Sequence, residues 1–195
     1  MAEGLRERSR VRRRAAIERA ALRLFAENGY EATTLAQIAD EAEVSTRTLT
    51  LYFPTKLDLA LAYGADAAQR LDEACGGRAP GTSVLEVLHA WIEREAAEHG
   101  ESMSMHAAML AANPILRGSE TTAVTAARLA VTREFAADLG RPADDPVVTL
   151  AAGALVGLIS ALLDLAATDA GLESSLHAAT AIVDAVVDRA RAVTS

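Results

Sequence analysis

Apolar residues recur every three or four positions along most of this chain, and no alternating run lasts the length of a strand. Ile17, Ala20, Ala21, Leu24 and Phe25 make one such stripe within residues 11–27. Asn28-Gly29 closes it, with Gly29 able to take the left-handed turn that ends a helix and Phe25 and Tyr30 spaced for the apolar contact that accompanies it. Leu35, Ile38, Ala39 and Ala42 make a shorter stripe. Before it stands Thr34, whose hydroxyl can accept from the third helical N–H while Gln37 accepts from the Thr34 N–H. Leu49 and Phe53 share the inward side of a third segment, with Ser45 as N-cap, Val44 and Leu49 closing its entry, and Pro54 at or past its end. Residues 33–53 therefore read as two short helices joined by a tight turn. Arg47 lies outward on the second, with Thr50 and Leu51 beside it and Thr46 and Tyr52 flanking.

The pattern continues to the end of the chain. One helix is expected from Lys56 to about Cys75, followed by a loop at 76–81. Thr82 or Ser83 caps a helix to about Glu98, which His99-Gly100 is expected to break. A short helix at 102–112 stops before Asn113-Pro114, and another at 119–139 is closed by Gly140. Asp145-Pro146 opens a long helix to about Thr168, and Gly171 separates it from the last, at 172–193. That makes an all-α chain of about nine helices. Residues 147–163 carry no charge, but 17 residues is at the short limit for a bilayer, Asp164 follows, and aromatic or basic anchors are missing. This segment reads as an internal or interfacial helix, and no membrane partner is expected. Gly153, Gly157 and Ala161 recur every fourth residue on it, which allows a close helix crossing. On the last helix Leu176, Ala179, Ile182, Val183, Val186 and Val187 take one side, while Asp184, Asp188, Arg189 and Arg191 lie more on the other. Residues 146–193 are the candidate homodimer interface.

Charge sharpens the reading of the first helices. Six arginines fall within nine residues in RERSRVRRR at 6–14. Residues 1–60 carry a net charge of +1 and residues 61–195 carry −9, which together give the −8 of the whole chain. A basic end on an acidic body approaches a polyanion in one orientation only. With the helix pair close behind, the partner expected is double-stranded DNA, with a helix in its major groove. Arg47 is suited to guanine O6 and N7, Thr50 and Leu51 to the thymine methyl, and Lys56 and the N-terminal arginines to phosphates. The basic arm, residues 1–14, is also able to enter a minor groove.

Other chemistry is scarce. Cys75 is the only cysteine, which rules out an intrachain disulfide and a cysteine-cluster zinc site and leaves it a passive helix residue. His89, His99 and His106 lack acidic partners at ligand spacing, so no metal or cofactor is expected. Ser102 and His106 share a helix face without an orienting carboxylate, which argues against an enzyme. Glu18, Arg19 and Arg23 interrupt the apolar N-terminal stretch, so a secretion signal is not expected and the location is read as cytoplasmic.

The stretch LFAENGYEATTLAQIADEAEVSTRTLTLYFPTKLDL, at 24–59, resembles the TetR family of bacterial transcriptional repressors. The Phe-Gly-Tyr helix end, the Thr-Thr start, the Ile-Ala centre, the Val-Ser turn and the Tyr-Phe-x-x-Lys ending occur together and in order. The resemblance implies a three-helix DNA-binding domain at 10–58, with its helix-turn-helix motif at about 33–53, on a helical ligand-binding and dimerisation domain at 59–195. By that resemblance the helix beginning at Ser45 is the recognition helix. Thr46, Arg47 and Thr50 then touch bases, Thr48, Tyr52 and Lys56 touch phosphates, and Thr34 caps the supporting helix beside the DNA backbone. Two positions depart from the family pattern. Glu43 stands where a turn glycine is usual, and Thr50, followed by Leu51, stands where a tyrosine is common.

The resemblance also implies an effector cavity enclosed by the helices between 56 and 139, where Trp91, Met103, Met105, His106, Met109 and Phe135 are the distinctive side chains. The expected function is a homodimeric repressor released from a near-palindromic operator by a small apolar or amphipathic effector. A constitutive or activating regulator without an effector, a helical enzyme and a DNA-free interaction protein are the alternatives.

Overall fold

The computed structural model describes residues 2–119, 121–165 and 172–193. The described residues form nine α-helices and one 3-10 turn: α1 (Ala2–Asn28), α2 (Leu35–Glu41), α3 (Thr46–Tyr52), α4 (Lys56–Ala60), α5 (Ala62–Gly76), α6 (Val84–Ala112), the turn Pro114–Leu116, α7 (Thr122–Leu139), α8 (Pro146–Leu165) and α9 (Leu172–Ala192). The expected helix end near Thr168, the separator Gly171 and the Leu176 side chain lie outside the described residues.

Local signals set most of these boundaries. Gly29, at φ +86°, ends α1, and the Phe25 and Tyr30 ring centroids lie 5.2 Å apart. The reciprocal Thr34–Gln37 cap starts α2, and the Ser45 hydroxyl accepts from the Thr48 N–H at 3.1 Å to start α3. Ser83 and Glu86 cap α6 reciprocally, and Gly140, at φ +63°, ends α7. The Asp145 carboxylate accepts from the Val147 N–H at 2.8 Å just before α8. That bond holds it below the usual carboxylate range.

Three expectations change. Residues 2–28 are one helix, so the basic segment at 6–14 continues α1 and is not a separate arm. The helix expected from Lys56 to Cys75 is interrupted at Leu61, whose φ and ψ are −96° and 0° and whose N–H is shared between the Leu57 and Leu59 carbonyls. Leu59, Ala60 and Ala62 sink into one core and Tyr63 and Ala67 into another, so the interruption falls close to where the chain passes between them. Conversely, His99-Gly100 breaks nothing, and α6 runs through it for 29 residues. An interior glycine costs only about 1 kcal/mol against alanine, and α6 is buried on both sides of it, by Ile92 and Glu95 before and Met103 and Ala107 after.

Two clusters carry the structure. The head core gathers Ile17, Leu22, Phe25, Ile38, Leu49, Phe53 and Leu59 from the first four helices. The body core gathers Leu71, Leu88, Trp91, Val131, Phe135, Val148, Leu155 and Val183 from α5 to α9. α6 belongs to both, since Met109 is fully buried in the head core. Asn113 fastens this junction. Its amide nitrogen donates to the Phe25 and Met109 carbonyls, both at 2.8 Å, and its Oδ1 accepts from the Tyr30 N–H. The end of α6 is thereby tied to the end of α1. Among the described residues, no helix is long and apolar enough to cross a membrane.

The turn between α2 and α3 holds Glu43 at φ +53°, left-handed for a residue with a Cβ. Replacing it with glycine removes that strain. Glu43→Gly should raise unfolding free energy by about 1 kcal/mol in urea denaturation, and an unchanged or lower value would contradict the strain.

Candidate nucleic-acid interface and effector cavity

The inward side of α3 is fixed by Leu49 and Phe53, which are 0% and 3% exposed. Its opposite side is open. Thr46, Arg47 and Thr50 are exposed, and Leu51 is 77% exposed although it is a large apolar residue. The Thr50 hydroxyl donates back to the Arg47 carbonyl at 3.1 Å, and the Ser45 and Thr48 hydroxyls lie 2.8 Å apart. Thr34 is exposed at the start of α2, and Tyr52 packs partly against the head core. The structure thus gathers all of the candidate DNA contacts on the head.

Lys56 is more constrained than a solvated lysine. Its ammonium donates to the Glu31 carbonyl at 3.2 Å and lies 4.4 Å from the Tyr30 ring centroid. The arginines of α1 divide into two sets. Arg12 and Arg13 are exposed, and Arg10 pairs with Glu7. Arg14 turns toward the body. Its guanidinium stacks 5.2 Å from the Phe53 ring centroid and meets Asp66 with two bonds of 2.6 and 3.0 Å and Glu18 with one of 3.3 Å. This strut spans 52 residues of sequence.

Behind the strut, the Tyr63 hydroxyl donates to Glu95 at 2.9 Å, and the Arg70 guanidinium donates to the same carboxylate at 2.9 Å. Glu95 is thereby buried as a paired charge. Burial, with the Glu95 carboxylate alongside, pushes the Tyr63 hydroxyl far up. Burial also raises the Glu18 carboxyl above its usual range, against the pull of Arg14.

Between α5, α6, α7 and α8 lies a cavity of about 250 Å³, lined by Leu61, Gly64, Trp91, His106, Val131 and Val156 among others. Of the six residues singled out in the sequence, Trp91 and His106 reach it. Met103 and Phe135 pack in the body core, and Met105 and Met109 pack in or against the head core. The His106 ring lies tilted against Tyr63, with centroids 5.1 Å apart, and faces Gly64, where a Cβ would come within 3.5 Å of Nε2. Leu61, Leu110 and Leu116 also line this cavity and had no distinguishing sequence signal. Cys75 is buried and its thiol is pushed up to about 11 by that burial, so it stays protonated at neutral pH.

A second apolar feature lies on α8 and α9. Leu150, Ile182 and Val193 are 75%, 49% and 58% exposed and border an open trough of about 670 Å³. Gly153, Gly157 and Ala161 are exposed as well. Ala179, Val183 and Val187 turn inward, so the apolar side of the last helix serves two surfaces.

Residues 17–63 match the family model described as bacterial regulatory proteins, tetR family. A TetR-like transcriptional regulator from Rhodococcus sp. RHA1 superimposes with a TM-score of 0.59 and 25% identity, over 92% of this chain and 96% of that one. Residues 17–63 therefore carry the DNA-binding domain typical of the TetR family. The chain is 47% identical over 58 residues to the HTH-type transcriptional regulator TcmR of Streptomyces glaucescens, which covers 30% of this chain and 26% of that protein. It is 34% identical over 84 residues to the HTH-type transcriptional repressor KstR of Rhodococcus jostii (strain RHA1), covering 43% of this chain and 39% of that protein. These curated relatives are thus matched over well under half their length. What this chain shares with them in sequence is chiefly the head.

The joint between head and body has a testable pH signature. A carboxyl raised above its ordinary range stabilises the fold in its protonated form. That contribution is whole below the unfolded value and is lost as pH rises through the raised one. Glu18→Gln keeps the shape without the charge. Its melting temperature should exceed that of wild type at neutral pH, with the gap closing as pH falls into the ordinary carboxylate range. A wild type that is more stable than the variant at neutral pH would reverse the assignment.

Proposed function

We propose that this chain is a homodimeric repressor, released from its operator when a small apolar or amphipathic molecule fills the cavity between α5 and α8. The carrying observation is where that cavity lies. It touches Leu61, where the path from head to body is interrupted, and His106 and Leu110, on the stretch of α6 that ends in the head core. A ligand there bears on both connections. It shifts the head only through unequal affinity for the two shapes.

In the bound shape α3 enters the major groove. Thr46, Arg47 and Thr50 read bases, while Thr48, Tyr52, Lys56 and the Thr34 end of α2 meet phosphates. The exposed Leu51 adds an apolar contact suited to a thymine methyl. Two heads on a twofold axis read a near-palindromic site. The α8–α9 trough supplies the apolar, small-residue surface such a dimer needs.

The test is duplex binding with and without candidate effectors. Arg47→Ala should cost about 1–3 kcal/mol on the preferred sequence and relax choice at one position of each half-site. Lys56→Ala should weaken all sequences alike and flatten the salt dependence. Equal losses on every sequence for Arg47→Ala would contradict a base-reading role. Leu150→Glu places a charge in the trough at a site exposed in the single chain. Sedimentation should show a monomer whose melting temperature is little changed and whose operator affinity is at least roughly tenfold weaker. A persistent dimer would move the interface elsewhere.

A further inference from the structure

Trp91 lines two separate cavities. One is the inner chamber of about 250 Å³ just described. The other is a groove of about 460 Å³ along α5 and α6, with Arg70, Glu73, Arg94, Glu95, Glu98 and His99 on its walls. No other described residue appears in both, so the indole is the partition between them. The chamber alone falls below the roughly 300–1,000 Å³ usual for a ligand pocket. Joined, the two spaces reach about 700 Å³, well inside that range.

The partition is imperfectly seated. The Trp91 Nε1–H has no accessible surface and finds no acceptor. A buried donor without a partner penalises the closed arrangement relative to one in which the indole turns toward a polar neighbour. The groove it would turn toward is polar and charged, while the chamber behind it is walled chiefly by apolar residues such as Ala68, Leu71, Val131, Val156 and Ile159, with His106, Arg117, Ser119, Thr121 and Arg128 also on its lining.

We propose that Trp91 is a movable partition that sets effector length. The effector is an amphipathic molecule whose apolar body fills the chamber and whose polar head reaches the groove through the gap the indole leaves. This rests on the chamber being the effector site. The groove wall carries Glu73, Glu86, Glu95 and Glu98 against Arg70 and Arg94, and Arg70 already donates to Glu95, so the groove suits a cationic head.

Trp91 is the only tryptophan, so its emission reports the partition directly. The probes are straight-chain primary amines from butylamine to dodecylamine, kept below micelle formation and followed by calorimetry and by Trp91 emission. In wild type, short amines should leave the emission unchanged. Longer ones should bind roughly fourfold tighter per added methylene while shifting the emission to the red and opening it to acrylamide quenching. Trp91→Ala should tighten the long amines and leave the short ones nearly unchanged. Trp91→Phe keeps the packing and removes the unpartnered N–H, so it should weaken the long amines only. Long amines that bind without any change in Trp91 emission, or one length profile shared by all three proteins, would overturn the partition while leaving the chamber as the effector site. Failure of every amine to bind any of the three would overturn the chamber reading and the partition with it.

Discussion

A seven-residue helix has no stability of its own in water, because nucleation consumes what so few hydrogen bonds return. α3 is such a helix, and everything the head can read depends on its being held rigid. Burial does this. Leu49 and Phe53 are sunk in a core built mainly by the long α1, and the Ser45 hydroxyl satisfies an N–H that the first turn leaves over. With one side immobilised, the other is presented at a fixed angle. Exposure of Leu51 is then a cost accepted at the surface where a partner is expected to lie.

The second constraint is that α6 is shared. It buries Trp91 and Ile92 in the body and Met109 in the head, and Asn113 clamps its end to α1. The other connection, through α4 and α5, is interrupted at Leu61 and braced by Arg14 on Asp66. One link is stiff and one is jointed, and the inner chamber touches both. In the proposed mechanism, that arrangement turns occupancy of a small space into rotation of the head without unfolding either core.

The legible parts of the chain were those with local causes. Thr34 with Gln37, Ser45, Gly29 and Gly140 each act within four residues of themselves, so sequence order alone reveals them. Glu43 was recognisable as an odd residue for its turn, and its left-handed backbone follows from the turn's needs. Long-range causes left no trace. No glycine or proline marks Leu61, which lies close to where the chain passes from one core to the other. Gly100 looked like a stop, yet packing on either side outweighs one glycine. Arg14 looked like its arginine neighbours until its partner, 52 residues on, was brought beside it. The methionines show the same limit from the other side. Met105 and Met109 have the flexible, apolar character of a cavity lining, but the register of α6 directs them to the head.

In the proposed function α3 is a rigid reader of duplex sequence. Unbiased selection from a pool of random duplexes, with the full-length protein at moderate salt, tests it most directly. The expected result is enrichment of inverted half-sites whose centres lie a helical turn, or a whole number of turns, apart. A pool that emerges with no sequence preference, even at low salt where phosphate contacts alone retain DNA, would contradict it.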